Sequence, residues 1–185
     1  MQKTILSIIA LTLFGLANAQ INAGGACPNP PVQSDFNFSS YSGTWHEYAK
    51  YPASFEGNSK CVTVVFSPEN LNEAYILKRM VNPSTGKSRT IVGDGKEISN
   101  SKFTVTYKDP KIPTSYWVLS TDYDNYAIIY TCEPASGNTH NTYVWILTRS
   151  RRPSAAAVTN AAKFLCSNGI SLDPLTITDQ SNCRD

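Results

Sequence analysis

The sequence predicts an all-β protein, an eight-stranded antiparallel up-and-down barrel with one C-terminal α-helix packed on its outer wall. Two observations predict it. From Tyr41 to Arg149 the chain is a series of short runs rich in Val, Ile, Thr, Tyr, Phe and Trp, cut by turn residues at the intervals expected of an antiparallel barrel or sandwich. One segment, Pro153–Asn168, carries helical spacing instead. Eight antiparallel strands can close on themselves, which removes the exposed edges that make open sheets aggregate. A barrel of that size holds one small ligand when its lining leaves room.

Residues 1–19 read as a signal peptide. Lys3 gives a positive start, Ile5 to Ala17 is an apolar run too short to span a bilayer, and Ala17-Asn18-Ala19 has the small-x-small cleavage pattern. The expectation is a secreted, extracellular domain over residues 20–185. Gln20 to Ser34, rich in Gly, Pro and Asn, reads as an irregular lead-in. Strands are expected at Gly43–Tyr51, Cys61–Ser67, Glu73–Val81, Ser88–Gly93, Lys102–Lys108, Thr114–Thr121, Tyr126–Glu133 and Thr142–Thr148. The breaks carry turn chemistry, as in Asn82-Pro83-Ser84-Thr85-Gly86, Gly93-Asp94-Gly95, Asp109-Pro110 and Ser136-Gly137-Asn138. In the helical segment Val158, Ala161, Ala162 and Leu165 form one apolar stripe, with Ser154 as start signal and Asn168-Gly169 as stop. A short edge strand is expected at Leu175–Thr178.

Charge narrows the function. Past residue 19 the chain carries 15 basic and 14 acidic side chains, a balance that steers toward neither nucleic acid nor anionic lipid. No further apolar run of spanning length follows, so no membrane insertion is expected. The five cysteines are Cys27, Cys61, Cys132, Cys166 and Cys183. Cysteines of exported chains usually pair, and an odd number leaves one over. With two histidines, His46 and His140, and no zinc-like spacing, no metal site is expected.

Three motifs carry a family resemblance. Gly43-Thr44-Trp45 resembles the opening G-x-W signature of the lipocalins. Ser120-Thr121-Asp122-Tyr123-Asp124-Asn125-Tyr126 is similar to their T-D-x-x-Y turn, and Trp145-Ile146-Leu147-Thr148-Arg149-Ser150 to their third motif. The resemblance covers roughly Cys27 to Cys183 and implies the calycin barrel. Within the family, Ala26-Cys27-Pro28, Trp45 to Pro52, Val118 to Asp122 and Tyr143 to Ser150 look most like the insect bilin-binding proteins and insecticyanins, with apolipoprotein D-like kinship. It implies disulfides Cys27–Cys132 and Cys61–Cys183, with Cys166 free. It also implies structural roles for Trp45, Arg149, Thr121 and Asp122, with the Arg149 guanidinium across the Trp45 ring at the closed end.

Strand alternation then proposes the walls of the cup. Asn141, Tyr143 and Trp145 share a face, as do Thr114, Tyr116 and Val118, and Ile129, Thr131 and Glu133. By resemblance these face inward, and Phe55 joins the contact set. Aligning Ser67-Pro68-Glu69 with the family's turn puts Tyr75, Leu77 and Arg79 inside as well. Arg79 is then either a partner for a ligand carboxylate or a solvated rim charge. Glu47 shares the face of Trp45 and needs a partner, a tyrosine or a ligand N–H, because a bare buried carboxylate is costly. His140 is a solvated loop residue at the mouth or a ligand contact. Cys166, beside the apolar stripe, is expected to be buried and inert, with an intermolecular disulfide as the other reading. Asn37-Phe38-Ser39 is a glycosylation sequon, and Asn37 is the candidate acceptor.

Four functions follow for comparison. The first is a carrier of a small hydrophobic ligand, a bilin such as biliverdin, requiring no cofactor. The second is a carrier of lipid, fatty acid, steroid or odorant. The third is an enzyme, disfavoured because no Ser-His-Asp or Cys-His set, metal cluster or phosphate loop stands out. The fourth is a surface-acting module that binds another protein. Monomer and homo-oligomer both remain open.

Overall fold

The computed structural model describes residues 21–70, 72–108 and 111–184. The expected signal peptide, and the Asp109-Pro110 turn, lie outside them. In chain order the elements are β1 (Ile21–Gly24), α1 (Phe38–Tyr41), β2 (Gly43–Lys50), β3 (Lys60–Pro68), β4 (Glu73–Val81), β5 (Ser88–Ser99), β6 (Lys102–Tyr107), β7 (Pro113–Thr121), β8 (Tyr126–Ala135), β9 (Thr139–Thr148), α2 (Ala155–Ser167) and β10 (Thr176–Ile177). Strands β2 to β9 pair antiparallel in sequence order, and β9 pairs back onto β2. The eight-stranded barrel is therefore closed.

Two short strands extend the seam where the barrel shuts. β9 bonds to β1 over Thr139–Thr142 and to β2 over Trp145–Thr148. β2 in turn bonds to β3 over Gly43–His46 and to β10 over Ala49–Lys50. Part of the expected irregular lead-in is thus β1, ordered because β9 offers it a free edge.

Gly93-Asp94-Gly95 is not a turn; β5 runs straight through it. These glycines serve close packing. A Cβ on Gly95 would stand 3.0 Å from Ile76 Cδ1, and one on Gly93 3.1 Å from Thr106 O and Tyr107 Cδ1. The chain reverses instead between Ser99 and Lys102, where Ser101 adopts a φ of 63°. β9 starts at Thr139, so His140 lies in the ladder and not in a mouth loop. Its Nδ1 meets Gly25 O at 2.9 Å.

Alternation along the strands creates two cores. The inner one, with Trp45, Phe66, Phe103, Val118 and Leu147, plugs one end of the barrel. The outer one holds Ala49, Leu119, Ile128, Tyr130 and Ile146 beneath Ala161 and Leu165 of α2. Ser154 caps α2, its Oγ accepting from Ala157 N at 3.2 Å. The helix buries Ala157, Ala161 and Leu165. Cys166 follows Leu165 by one residue, about 100° around the helix, so it is exposed and free, not buried as expected. Disulfides join Cys27 to Cys132 and Cys61 to Cys183, across sequence separations of 105 and 122 residues. On chain-entropy grounds each such link stabilises by about 4–5 kcal/mol, offsetting core that a hollow barrel gives up.

Candidate ligand-binding site

The closed end is built by the three motifs. Gly43 holds a φ of 96°, and a Cβ there would stand 3.4 Å from Arg149 Nη1. The Arg149 guanidinium lies 3.7 Å from the Trp45 ring centroid. It donates to Tyr123 O at 2.8 Å, Thr44 O at 3.0 Å, Ser40 O at 2.9 Å and Tyr41 O at 3.2 Å. The Trp45 indole donates to Tyr41 O at 2.8 Å. Thr121 and Asp122 organise the neighbouring turn. Asp122 Oδ1 accepts from Asn125 N at 2.8 Å and Tyr126 N at 3.0 Å, and Thr121 Oγ1 donates to Tyr126 O at 2.7 Å. Partial burial raises the Asp122 carboxyl, but these N–H donors outweigh it and hold the group below its ordinary value. All four side chains work on the frame.

Above the plug the interior is hollow. A cavity of about 270 Å³ is lined by Val64 of β3, by Ile76, Lys78 and Met80 of β4, and by Arg89 and Ile91 of β5. Tyr107, Ile112, Thr114, Tyr116, Ile129, Thr131, Glu133, Tyr143 and Trp145 complete the wall, and Phe55 and Glu56 reach over it from the loop after β2. The surface is mostly apolar. Two of its hydroxyls are spent on the protein: Thr131 Oγ1 donates to Ser115 O at 2.6 Å, and the Tyr116 and Tyr41 hydroxyls share a hydrogen bond of 2.8 Å. Burial pushes the Tyr116 hydroxyl well above its ordinary pKa, and the neighbouring Tyr41 adds to it. The site therefore stays neutral on that side.

Charge enters at one corner. Glu56 Oε2 accepts from Lys50 Nζ at 2.6 Å, and Glu56 Oε1 from Lys78 Nζ and from Trp145 Nε1 at 3.2 Å. Glu47 stands behind, 3.4 Å from Lys50 Nζ and 3.6 Å from Lys78 Nζ, and takes a 2.6 Å hydrogen bond from Thr178 Oγ1. All four charged residues are buried, two of each sign. Burial by itself would raise the Glu56 carboxyl, but the charges and hydrogen bonds of Lys78 and Lys50 pull it down to about 2. Glu47 is raised, first by burial and then by the Glu56 carboxylate. Burial works against the Lys78 ammonium, yet Glu56 and Glu47 hold it above its ordinary value.

Of the expected contacts, Phe55, Tyr116, Ile129, Thr131, Tyr143 and Trp145 line the cavity. Val118 faces inward but lies in the plug. Glu47 is interior yet screened by the lysines. Asn141 is held by Asn22 Nδ2 at 3.2 Å and does not line the cavity; His140 is tied to Gly25. Asn37 is exposed and caps α1, its Oδ1 accepting from Ser40 N at 2.8 Å.

Tyr75, Leu77 and Arg79 are a correction: they face outward. Directly paired residues share a face of the sheet, and the register carries Trp45 to Val64 and Val64 to Lys78. The inward set of β4 is therefore Ile76, Lys78 and Met80. Sequence reasoning missed Lys50, Glu56, Lys78 and Arg89. For Lys78 the sequence offered alternation alone, which leaves the two faces of β4 equivalent until the β2–β3–β4 register is known. Among the described residues no group of three or more His, Cys, Asp or Glu could hold a metal ion, and no helix is long and apolar enough to cross a membrane.

Comparison with known proteins agrees with this geometry. Residues 42–182 match the model of the lipocalin / cytosolic fatty-acid binding protein family. Mouse (Mus musculus) apolipoprotein D is 36% identical over 176 residues, 94% of this chain and 92% of that protein. The bilin-binding protein of Pieris brassicae is 32% identical over 166 residues, 85% of each chain. The crystal structure of insecticyanin from the tobacco hornworm Manduca sexta superposes with a TM-score of 0.77 at 27% identity, covering 88% of this chain and 90% of that one.

Proposed function

Because the chain belongs to the lipocalin / cytosolic fatty-acid binding protein family, whose barrels carry small hydrophobic ligands, we propose that it is a secreted, non-enzymatic carrier of a lipid-class molecule. The observation that carries this reading is the chamber of about 270 Å³ above a plugged end. Apolar surface moved from water into it gains about 25 cal/mol per Å². The volume lies just below the usual range of ligand pockets, about 300–1,000 Å³. It suits a slender chain with one polar end better than a tetrapyrrole, whose nitrogens and acids are spread around the molecule. The apolipoprotein D relative, similar over almost the whole chain, supports the lipid choice.

A bilin is the second reading. Tyr143 and Trp145 stack at 6.0 Å between centroids, with Phe55 edge-on to Tyr143 at 5.7 Å, which offers a flat aromatic wall. The Pieris relative is named for that ligand. Organic extraction of the natively purified protein, followed by mass and absorption spectra, separates the readings. A colourless protein that releases lipid is expected. A blue-green extract refutes the lipid choice, and a chain that neither releases nor rebinds an apolar molecule refutes the carrier.

A further inference from the structure

The loop between β2 and β3 presents its side chains the wrong way round for burial alone. Phe55 is 53% exposed while its neighbour Glu56 is 4% exposed. Ordinary preference places the ring inside and the carboxylate in water. What holds the carboxylate inside is a set of three converging donors: Lys50 Nζ, Lys78 Nζ and Trp145 Nε1. Two are cations and both carboxylate oxygens are engaged, which makes a complete receptor for one carboxylate.

We propose that Lys50, Lys78 and the Trp145 indole N–H form a carboxylate-binding site inside the barrel, that Glu56 fills it in the empty protein, and that a long-chain monocarboxylate enters by exchange with Glu56. The proposal rests on the carrier reading and names the class of its ligand.

Charge balance selects the class. With Glu56 inside, Lys50 and Lys78 face Glu56 and Glu47, and the cluster is neutral. With Glu56 withdrawn, Glu47 alone answers two ammoniums, and one buried positive charge is uncompensated, a costly state. A ligand carboxylate restores the balance, while an ester or alcohol does not. Glu56 meanwhile goes to water, where a carboxylate is well solvated. The apolar chain of the ligand takes the cavity that Val64, Ile76, Met80 and Ile129 already line.

The loop is built to move as a unit. Glu56 and Gly57 donate to Ala53 O, both at 3.1 Å, and Ser59 Oγ donates to Glu56 O at 2.6 Å, so these bonds close within the loop. Its ends are anchored to the frame, by Tyr51 N to Val144 O and by Cys61 N to Asp179 O, both at 2.8 Å. Withdrawal of Glu56 carries Phe55 off the aromatic wall and opens the mouth.

The test uses the full secreted chain with its disulfides intact, and two fluorescent probes, cis-parinaric acid and its methyl ester. The acid is expected to bind at least about tenfold more tightly than the ester. It is also expected to speed cleavage after Glu56 by a Glu-specific endoproteinase several-fold, where ordinary ligand binding protects. Glu56→Gln, which removes the internal competitor, raises the acid-to-ester affinity ratio; the cleavage assay on the unmutated chain stands even if that variant fails to fold. Equal affinities, or cleavage after Glu56 that the acid leaves unchanged or slows, overturn the proposal and spare the carrier. Failure of both probes to bind overturns both.

Discussion

Replacing Lys78 with Met keeps much of the side-chain volume and deletes one buried charge. Lys78 contacts Glu56 and lies 3.6 Å from Glu47. At an effective dielectric near 20, a pair at that distance attracts by about 4–5 kcal/mol, much of it offset by desolvation. Deletion leaves Glu47 and Glu56 sharing Lys50. Breaking a buried pair in this way costs about 3–5 kcal/mol. Glu56→Gln leaves the mirror-image imbalance, two ammoniums against Glu47. The double variant restores neutrality, since Lys50 stands 3.4 Å from Glu47. It is expected to lie within about 2 kcal/mol of the parent, so the two losses couple by about 4 kcal/mol or more. Equilibrium urea unfolding followed by far-UV circular dichroism, disulfides oxidised, gives all four stabilities. Additive losses below about 1 kcal/mol each would show that the four charges do not act as one unit.

Two further outcomes are expected. The Glu56 carboxyl sits at about 2 against an ordinary 4.5, so its contribution is present above the ordinary value and lost as the pH falls toward 2. The stability gap between the parent and Glu56→Gln therefore shrinks by about 2 kcal/mol between pH 6 and pH 3; urea midpoints at those two values check it, and a gap that widens refutes the sign. Arg149→Ala removes four hydrogen bonds and the stack on Trp45, at a cost of about 2–4 kcal/mol. Arg149→Lys recovers little because an ammonium lacks the planar fork. Thermal melts read both, and probe binding is expected to persist wherever the variant stays folded, because the cavity lies above the plug.

The barrel was legible because its signals are local. Each strand carries its own alternation and its own turn residues, and the helix carries its own stripe and cap. Errors arose where local chemistry has two uses. Gly93 and Gly95 are turn formers that here let β4 and β6 approach β5 closely. Cys166 lies beside an apolar stripe, and one residue of helical rotation decides whether it is covered.

What the sequence determined by itself was the sheet and the outer helix, because alternation and capping act within a few residues; the Trp45–Arg149 end was implied by the resemblance of two distant motifs to a known family. Tertiary structure alone decided the chemistry of the cup. Tyr75, Leu77 and Arg79 make as good an inward face as Ile76, Lys78 and Met80 until β4 is laid against β3, since a one-residue slip exchanges the faces. Lys50, Glu56, Lys78 and Trp145 come from three strands and a loop, and nothing short of barrel closure brings them together. Their charges are tolerable inside only as a set, and a set has no signature in any one stretch of chain.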